Sequence, residues 1–482
     1  MVRRSAVIGV VALAALALGD ETAAKQTRDQ LAEKHVQFAK KLEEKKFPRE
    51  AFEELLLALE LNPENTEARE KLGYKLDENK RWTGIPAVPK QGDGLEVALE
   101  KERDKEHKEA ASKLASLARA KKSEGKNDEM VVLAGLALDE YPDDRSAREV
   151  LGFEKKTEGW QTPRERKIQA AFTKALNGAK AGDAKESPPD EAFTKYCQLG
   201  KLSRRESDHG VAWHTSAAPS VDSEQLLKAA DATFVAYRYF LAGEDTGFSV
   251  EGEPLRAEAA LAPSASVKPN WLVVADNEHA PFIEKTIKDE KEQALGKALT
   301  GYCSWHKIAG EQALIIEGHF APNLRREWVS GTYTEFLTSA PLGVKNAAAI
   351  PDFISEGQKR FFSGHVSGRA EIFYTSGYTG RKKFQQGTFE TLRSHVRATL
   401  RAAPEGELRR LLGKQASEMD AYDSGLALAF FDFMIATKRS ELAKFLTSIK
   451  AGQSAQFTLE RAVGVSVDAL EADWRVWVRS EY

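Results

Sequence analysis

The strongest constraint on this chain is an internal duplication in its first third. The segment "AFEELLLALELNPENTEAREKLGY" returns as "VVLAGLALDEYPDDRSAREVLGF", so that Pro142 follows Pro63 by 79 residues. Ala147 and Arg148 repeat Ala68 and Arg69, and Leu151-Gly152-Phe153 repeats Leu72-Gly73-Tyr74, at the same offset. Trp160 follows Trp82 by 78 residues. A fixed offset means two copies of one supersecondary unit, spanning about 26–86 and 105–163, that can bury their apolar faces together. Apolar residues recur at three- and four-residue spacing among good helix formers, which predicts helices from Ala24 to about Ala181. Asn62 and Pro63 close one of these helices.

Within each copy, the piece typified by "LLLALELNPENTEA" resembles the second helix of a tetratricopeptide repeat and the turn that follows it. The resemblance covers about one repeat per copy, and the 79-residue offset is too long for a regular array of about 34-residue repeats. It implies a concave face for peptides or partner proteins; the alternative is a helical spacer that only packs on the next domain. Trp82 in "NKRWTG" and Trp160 in "TEGWQTP" read as plugs at the ends of small helical units rather than as ligand platforms. The run "EKERDKEHKEAASK" reads as a solvated helix face carrying mixed-sign pairs.

With 482 residues, 42% hydrophobic and 30% charged, the chain can build two or three cores. Its net charge of -3 creates no global field toward nucleic acid or an anionic membrane, so neither is an expected partner. Residues 1–19, "MVRRSAVIGVVALAALALG", place two arginines before a short apolar run that ends in small residues, the layout of a signal peptide. No other segment is long and apolar enough for a membrane span, so the mature chain is expected to be exported, periplasmic or extracellular, without a transmembrane anchor. Cys197 and Cys303 could form one disulfide or remain two buried thiols; their spacing matches no zinc knuckle.

The stretch "NGAKAGDAKESPPDEAF" marks a linker, assigned to 182–207, after which the texture becomes mixed. "HGVAWHTSA", "PNWLVVADN" and "QALIIEGHF" read as strands, "SEQLLKAADATFVAYRYFLAG" as a helix, and helices dominate to the final "VDALEADWRVWVRSEY". This order of parts, with "IPDFISEGQKRFF" near its middle, resembles the peptidase-MA-like family, relatives of the thermolysin-type gluzincins. The fold class expected is therefore multidomain: an all-α, tetratricopeptide-like N-terminal half over 24–181, then an α+β zincin-like domain over 208–482 with a helical C-terminal tail.

Active members of that family hold zinc between two His four residues apart on one helix and a Glu on the next, with a second Glu as general base. Aligned on "VSGTYTEFL", this chain has Ser330 at the first His, Gly331 at the catalytic Glu and Thr334 at the second His, while Glu356 keeps the third-ligand position. No His lies between His319 and His365, so no shift of register restores the motif. His306, His319, His365 and His395 are read as structural, Glu356 as a helix-capping or ion-paired carboxylate, and Glu335 and Tyr333 are unassigned. The resemblance thus implies no catalytic residue, no metal and no cofactor. It implies an exported pseudopeptidase that binds a protein or peptide, whose cleft between "QALIIEGHF" and "SGTYTEFL" accepts an extended chain by edge-strand hydrogen bonding. Two alternatives stay open: a zinc metallopeptidase with a non-standard ligand set, and a purely structural envelope component.

Overall fold

The computed structural model describes residues 22–76, 78, 82–83, 89, 95–157, 159–186, 202–215, 220–253, 270–274, 303–308, 311–317, 322–369, 388–403 and 406–482. The expected signal peptide, Cys197 and His319 lie outside the described residues, as do the side chains of Cys303 and His306. No helix among the described residues is long and apolar enough to cross a membrane. The chain divides into two compact units, both discontinuous: the first joins the residues up to Glu165 to Thr388–Gly413 and Gly464–Tyr482, and the second joins Arg166–Gly387 to Lys414–Val463.

In the first unit each copy of the duplication builds the same motif. Helices α1 (Thr22–Glu44), α2 (Pro48–Leu61) and α3 (Thr66–Lys71) are followed by strands β1 (Lys75–Leu76) and β2 (Trp82–Thr83). In the second copy come α4 (Val97–Ser123), α5 (Asn127–Glu140), α6 (Arg145–Val150), β3 (Glu154–Lys156) and β4 (Gly159–Gln161). The correspondence extends to single dihedrals and caps. The turn between the first two helices passes through a positive φ at Lys46 (66°) and, 79 residues on, at Gly125 (74°). The short third helix is capped by Asn65, accepting from Ala68 N at 2.9 Å, and by Asp144, accepting from Ala147 N at 2.7 Å. Leu31, Leu55, Ala58, Leu114, Leu133 and Ala137 belong to one shared apolar core.

The N-terminal region is largely helical, as expected, but each copy ends in a two-stranded antiparallel hairpin that helical periodicity did not announce. The two tryptophans sit on these hairpins. Arg69 lies over the Trp82 ring at 5.3 Å and Arg148 over the Trp160 ring at 5.5 Å, a cation–π contact repeated by the duplication. Segments of two or three residues are too short for a period-2 pattern to register, and the Trp–Arg stacking adds to their backbone pairing.

The C-terminal boundary also differs from the expected one. The last helix, Val467–Glu481, belongs to the first unit, where Leu470 and Trp474 are wholly buried and Arg479 pairs with Glu60 at 2.8 Å. Arg397, on helix Phe389–Ala402, donates to Asp139 at 2.9 Å and to the Arg479 carbonyl at 2.9 Å.

The second unit contains a six-stranded sheet of order β5-β6-β7-β8-β10-β9. Its strands are β5 (Lys185–Glu186), β6 (Leu202–Glu206), β7 (Val211–Thr215), β8 (Asn270–Val274), β9 (Cys303–Ile308) and β10 (Glu311–Glu317). β7, β8 and β10 run parallel, and the other pairs are antiparallel. β5 and β6 come from the segment assigned to the linker: the Pro/Ser-rich run between them lies outside the described residues, and its flanks pair as strands. "QALIIEGHF" was expected at the sheet edge, yet its strand β10 lies between β8 and β9 because β9 folds back antiparallel on it. Among the described residues β9 ends the sheet.

Helix α7 (Ser220–Tyr237), continued by a π-helical turn over Arg238–Ala242, follows β7 and precedes β8, as a parallel pair requires. α8 (Pro322–Leu342), α9 (Asp352–Ser367) and α10 (Ala421–Thr437) then pack in succession from α7. α9 and α10 approach so closely that a Cβ on Gly357 would lie 2.2 Å from the Ala427 carbonyl oxygen. Backbone cannot yield as a side-chain tip does, so Gly357→Ala should destabilise this unit by about 1–3 kcal/mol. A calorimetric scan checks this, and an unchanged melting profile contradicts the packing described.

Candidate functional site

The positions aligned with the zinc motif, Ser330, Gly331 and Thr334, lie on α8, with Ser330 and Thr334 turned into the helix layer. Ser330 and Thr334 are fully buried. Thr233 of α7 donates to the Ala229 carbonyl at 2.7 Å and accepts from Ser330 Oγ at 2.7 Å, Thr334 donates to the Ser330 carbonyl at 2.7 Å, and Thr338 donates to the Thr334 carbonyl at 2.9 Å. With its own proton committed, Thr338 Oγ1 accepts from Tyr237 at 3.1 Å and from Gln358 at 2.8 Å. Tyr333, also buried, donates to the His209 carbonyl at 3.2 Å. These hydroxyl groups are satisfied by one another and by backbone carbonyls, as buried polar atoms require.

Glu356, at the third-ligand position on α9, is spent on neighbouring cations. Arg360 donates to it at 2.7 Å, Ser424 donates to the same oxygen at 3.1 Å, and the Lys359 ammonium lies 3.6 Å from the other oxygen. Burial alone would raise its pKa, but Arg360 and Lys359 override that and lower it to about 2. Glu335 pairs with the same Lys359 at 2.8 Å. His365 packs among aromatic rings, 4.9 Å from Phe361 and 5.8 Å from Phe172, while His395 belongs to the first unit.

A different constellation, not singled out by sequence motifs, lies in the first unit between the two copies. His35 from α1 and Glu54 from α2 meet His107 from α4 and Glu140, the last residue of α5. They form a closed ring: His35 Nδ1 to Glu54 Oε2 at 2.6 Å, His107 Nε2 to Glu54 Oε1 at 3.0 Å, His35 Nε2 to Glu140 Oε1 at 2.9 Å, and His107 Nδ1 to Glu140 Oε2 at 3.1 Å. His107 Nδ1 also lies 3.0 Å from the Glu140 carbonyl oxygen. Arg103 donates to Glu54 at 2.6 Å and to Glu53 at 3.1 Å. Both carboxylate side chains are 1% exposed and the His35 and His107 side chains 5% and 12%, so the carboxylates are shielded from bulk water.

This cluster is where the two copies stop being alike. Under the 79-residue offset, His35 and Glu54 correspond to Leu114 and Leu133, both wholly buried in the core. His107 and Glu140 correspond to Arg28 and Leu61, and Arg28 reaches the Leu61 carbonyl just as His107 reaches that of Glu140. The visible signal was therefore a polar pair standing at core positions of a duplicated helical hairpin. Arg103 and His107 come from the run "EKERDKEHKEAASK", read from sequence as a solvated face; only part of that face is solvated.

Comparison with protein families, curated proteins and solved structures finds no match for this chain. Its chemistry must be argued from geometry.

All four ring nitrogens face oxygen atoms, so each must carry a proton or meet a cation. Burial opposes ionisation of His35, yet Glu140 and Glu54 override it and raise its pKa to about 10; the same carboxylates raise that of His107 to about 9. In turn burial is overridden by the two imidazoles at Glu140, whose pKa falls to about 2. These histidine values lie above the ordinary 6.5, so the stabilisation is fully present below about pH 6.5 and is lost as pH rises through 9 to 10. For the metal-free protein, the urea midpoint of the first unit should fall between pH 6.5 and pH 10.5. Replacing His35 and Glu54 by leucine should flatten that dependence, and an equal slope in both proteins contradicts the ring.

Proposed function

We propose that the second unit is a zincin-like domain without a catalytic centre, and that the exported chain binds an extended protein or peptide instead of cleaving it. The observation that carries this reading is the filling of the motif positions. Ser330 and Thr334 are bound to Thr233 and to backbone, Gly331 has no side chain to serve as base, and Glu356 is neutralised by Arg360 and Lys359. The expected zinc-bound water, the nucleophile of the active fold, has no ligand set to hold it there.

Recognition is assigned to strand β9, which ends the described sheet and offers backbone groups on the side away from β10. An added strand would gain affinity from main-chain hydrogen bonds with little demand on sequence. The tetratricopeptide-like copies are read as a second, helical surface for a protein partner.

The reading is tested with the full chain and a library of unstructured peptides, with and without added zinc. The expected result is no hydrolysis, together with slowed amide exchange at 303–308 in the presence of the retained peptides. Cleavage that is abolished by a chelator and by Glu356→Gln would overturn it in favour of a peptidase with a non-standard ligand set.

A further inference from the structure

His35, His107 and Glu140 each place a ligand atom within 4.8 Å of the others, the one such group among the described residues. We propose that His35 Nε2, His107 Nδ1 and the Glu140 carboxylate bind a divalent first-row transition ion of the zinc class between the two helical copies. Glu54 holds both imidazoles from behind.

Four observations converge on this. First, Glu54 accepts from His35 Nδ1 and His107 Nε2 at 2.6 and 3.0 Å, which directs the other nitrogen of each ring toward Glu140. A carboxylate behind each ligating imidazole is the usual way a protein fixes the tautomer and raises ligand basicity. Second, Glu140 Oε2 is buried and receives no hydrogen bond, although it lies 3.1 Å from His107 Nδ1. An ion would satisfy that oxygen. Third, the nitrogen–oxygen separations across Glu140 are 2.9 and 3.1 Å, close to the about 3.3 Å between ligand atoms around a tetrahedral ion with bonds near 2.0–2.1 Å, and all three ligand atoms lie within 4.8 Å of one another. Fourth, a small cavity lined by Leu31, Lys34, Glu106 and Ala110 reaches His35 and gives an entry path.

Charge balance favours the exchange. The two imidazolium ions and Arg103 offset Glu53, Glu54 and Glu140, leaving the cluster neutral. Replacing the protons on His35 Nε2 and His107 Nδ1 by one divalent ion releases two protons and leaves the sum unchanged. Two imidazoles and one carboxylate select zinc, copper, nickel or ferrous iron over calcium and magnesium. The ligands come from α1 of one copy and from α4 and α5 of the other, so the ion would tie the copies together. This inference is independent of the peptide-binding reading of the second unit.

The test uses chelator-stripped full chain titrated with Zn²⁺ and followed by elemental analysis and a pH indicator. One zinc per chain is expected, with release of about two protons and an affinity that rises about 100-fold per pH unit while both rings are protonated. Glu356→Gln should leave the stoichiometry intact. The double variant His35→Leu with Glu54→Leu carries the residues found at the matching positions of the second copy; it should fold and bind no zinc. Should that variant fail to fold, the visible spectrum of Co²⁺-loaded wild type decides, since a four-coordinate site gives intense d–d bands and the octahedral hydrated ion gives weak ones. Failure of folded wild type to take up zinc, or equal uptake by the double variant, overturns the proposal and leaves an imidazolium–carboxylate network alone. Loss of zinc only in Glu356→Gln would overturn the pseudopeptidase reading as well.

Discussion

Two imidazoles held between two carboxylates, with an arginine at the side, sit where two copies of one helical motif meet. Burying these groups is costly, and it is tolerated because every ring nitrogen finds an oxygen and, with Glu53 beside the arginine, the charges sum to zero. The rest of the first unit follows from the same juxtaposition. His35 and Glu54 come from one copy and His107 and Glu140 from the other, so the ring specifies how the copies register in a way that leucine against leucine does not. The apolar core around Leu55, Leu114 and Leu133 supplies most of the burial, and the ring supplies direction.

The second unit solves a related problem by opposite means. Where the resemblance to zincins places a metal, the chain has small hydroxyl side chains that bond to one another and to helical carbonyls. Glu356, aligned by that resemblance with the third ligand, has Arg360, Lys359 and Ser424 around it. A carboxylate so neutralised is stable without a metal. Gly357 beside it permits the close approach of α9 and α10, which gives the glycine of this segment a packing reason.

Much of this was legible in the sequence, and the limits have physical causes. The duplication was visible because turns depend on local chemistry: Pro63 and Pro142 and Gly73 and Gly152 recur at an offset of 79 residues, and the two tryptophans at 78. β7, β8 and β10 were legible as short apolar runs. The hairpins at Trp82 and Trp160 were not, being too short to show a period. β5 and β6 were hidden in a segment whose Pro, Ser and Lys content reads as linker. The return of helices 389–402 and 467–481 to the first unit was invisible, since an apolar helix face does not say which partner it meets. The His–Glu ring escaped because its members are 19 to 105 residues apart, and motif reading seeks ligands at helical spacing. Comparing the two copies position by position, and asking why His35 and Glu54 stand where Leu114 and Leu133 do, would have found half of it.

The central claim is that the ring couples the two copies energetically. A double-mutant cycle on the metal-free full chain, combining His35→Ala with Glu140→Ala and reading the first unit's urea transition at pH 6.5, measures that coupling directly. The two side chains are buried and share one ion pair, so the account predicts a coupling on the order of 2 kcal/mol, with the double variant less destabilised than the sum of the singles. Additivity within about 0.5 kcal/mol would contradict it and reduce the cluster to independent buried polar groups.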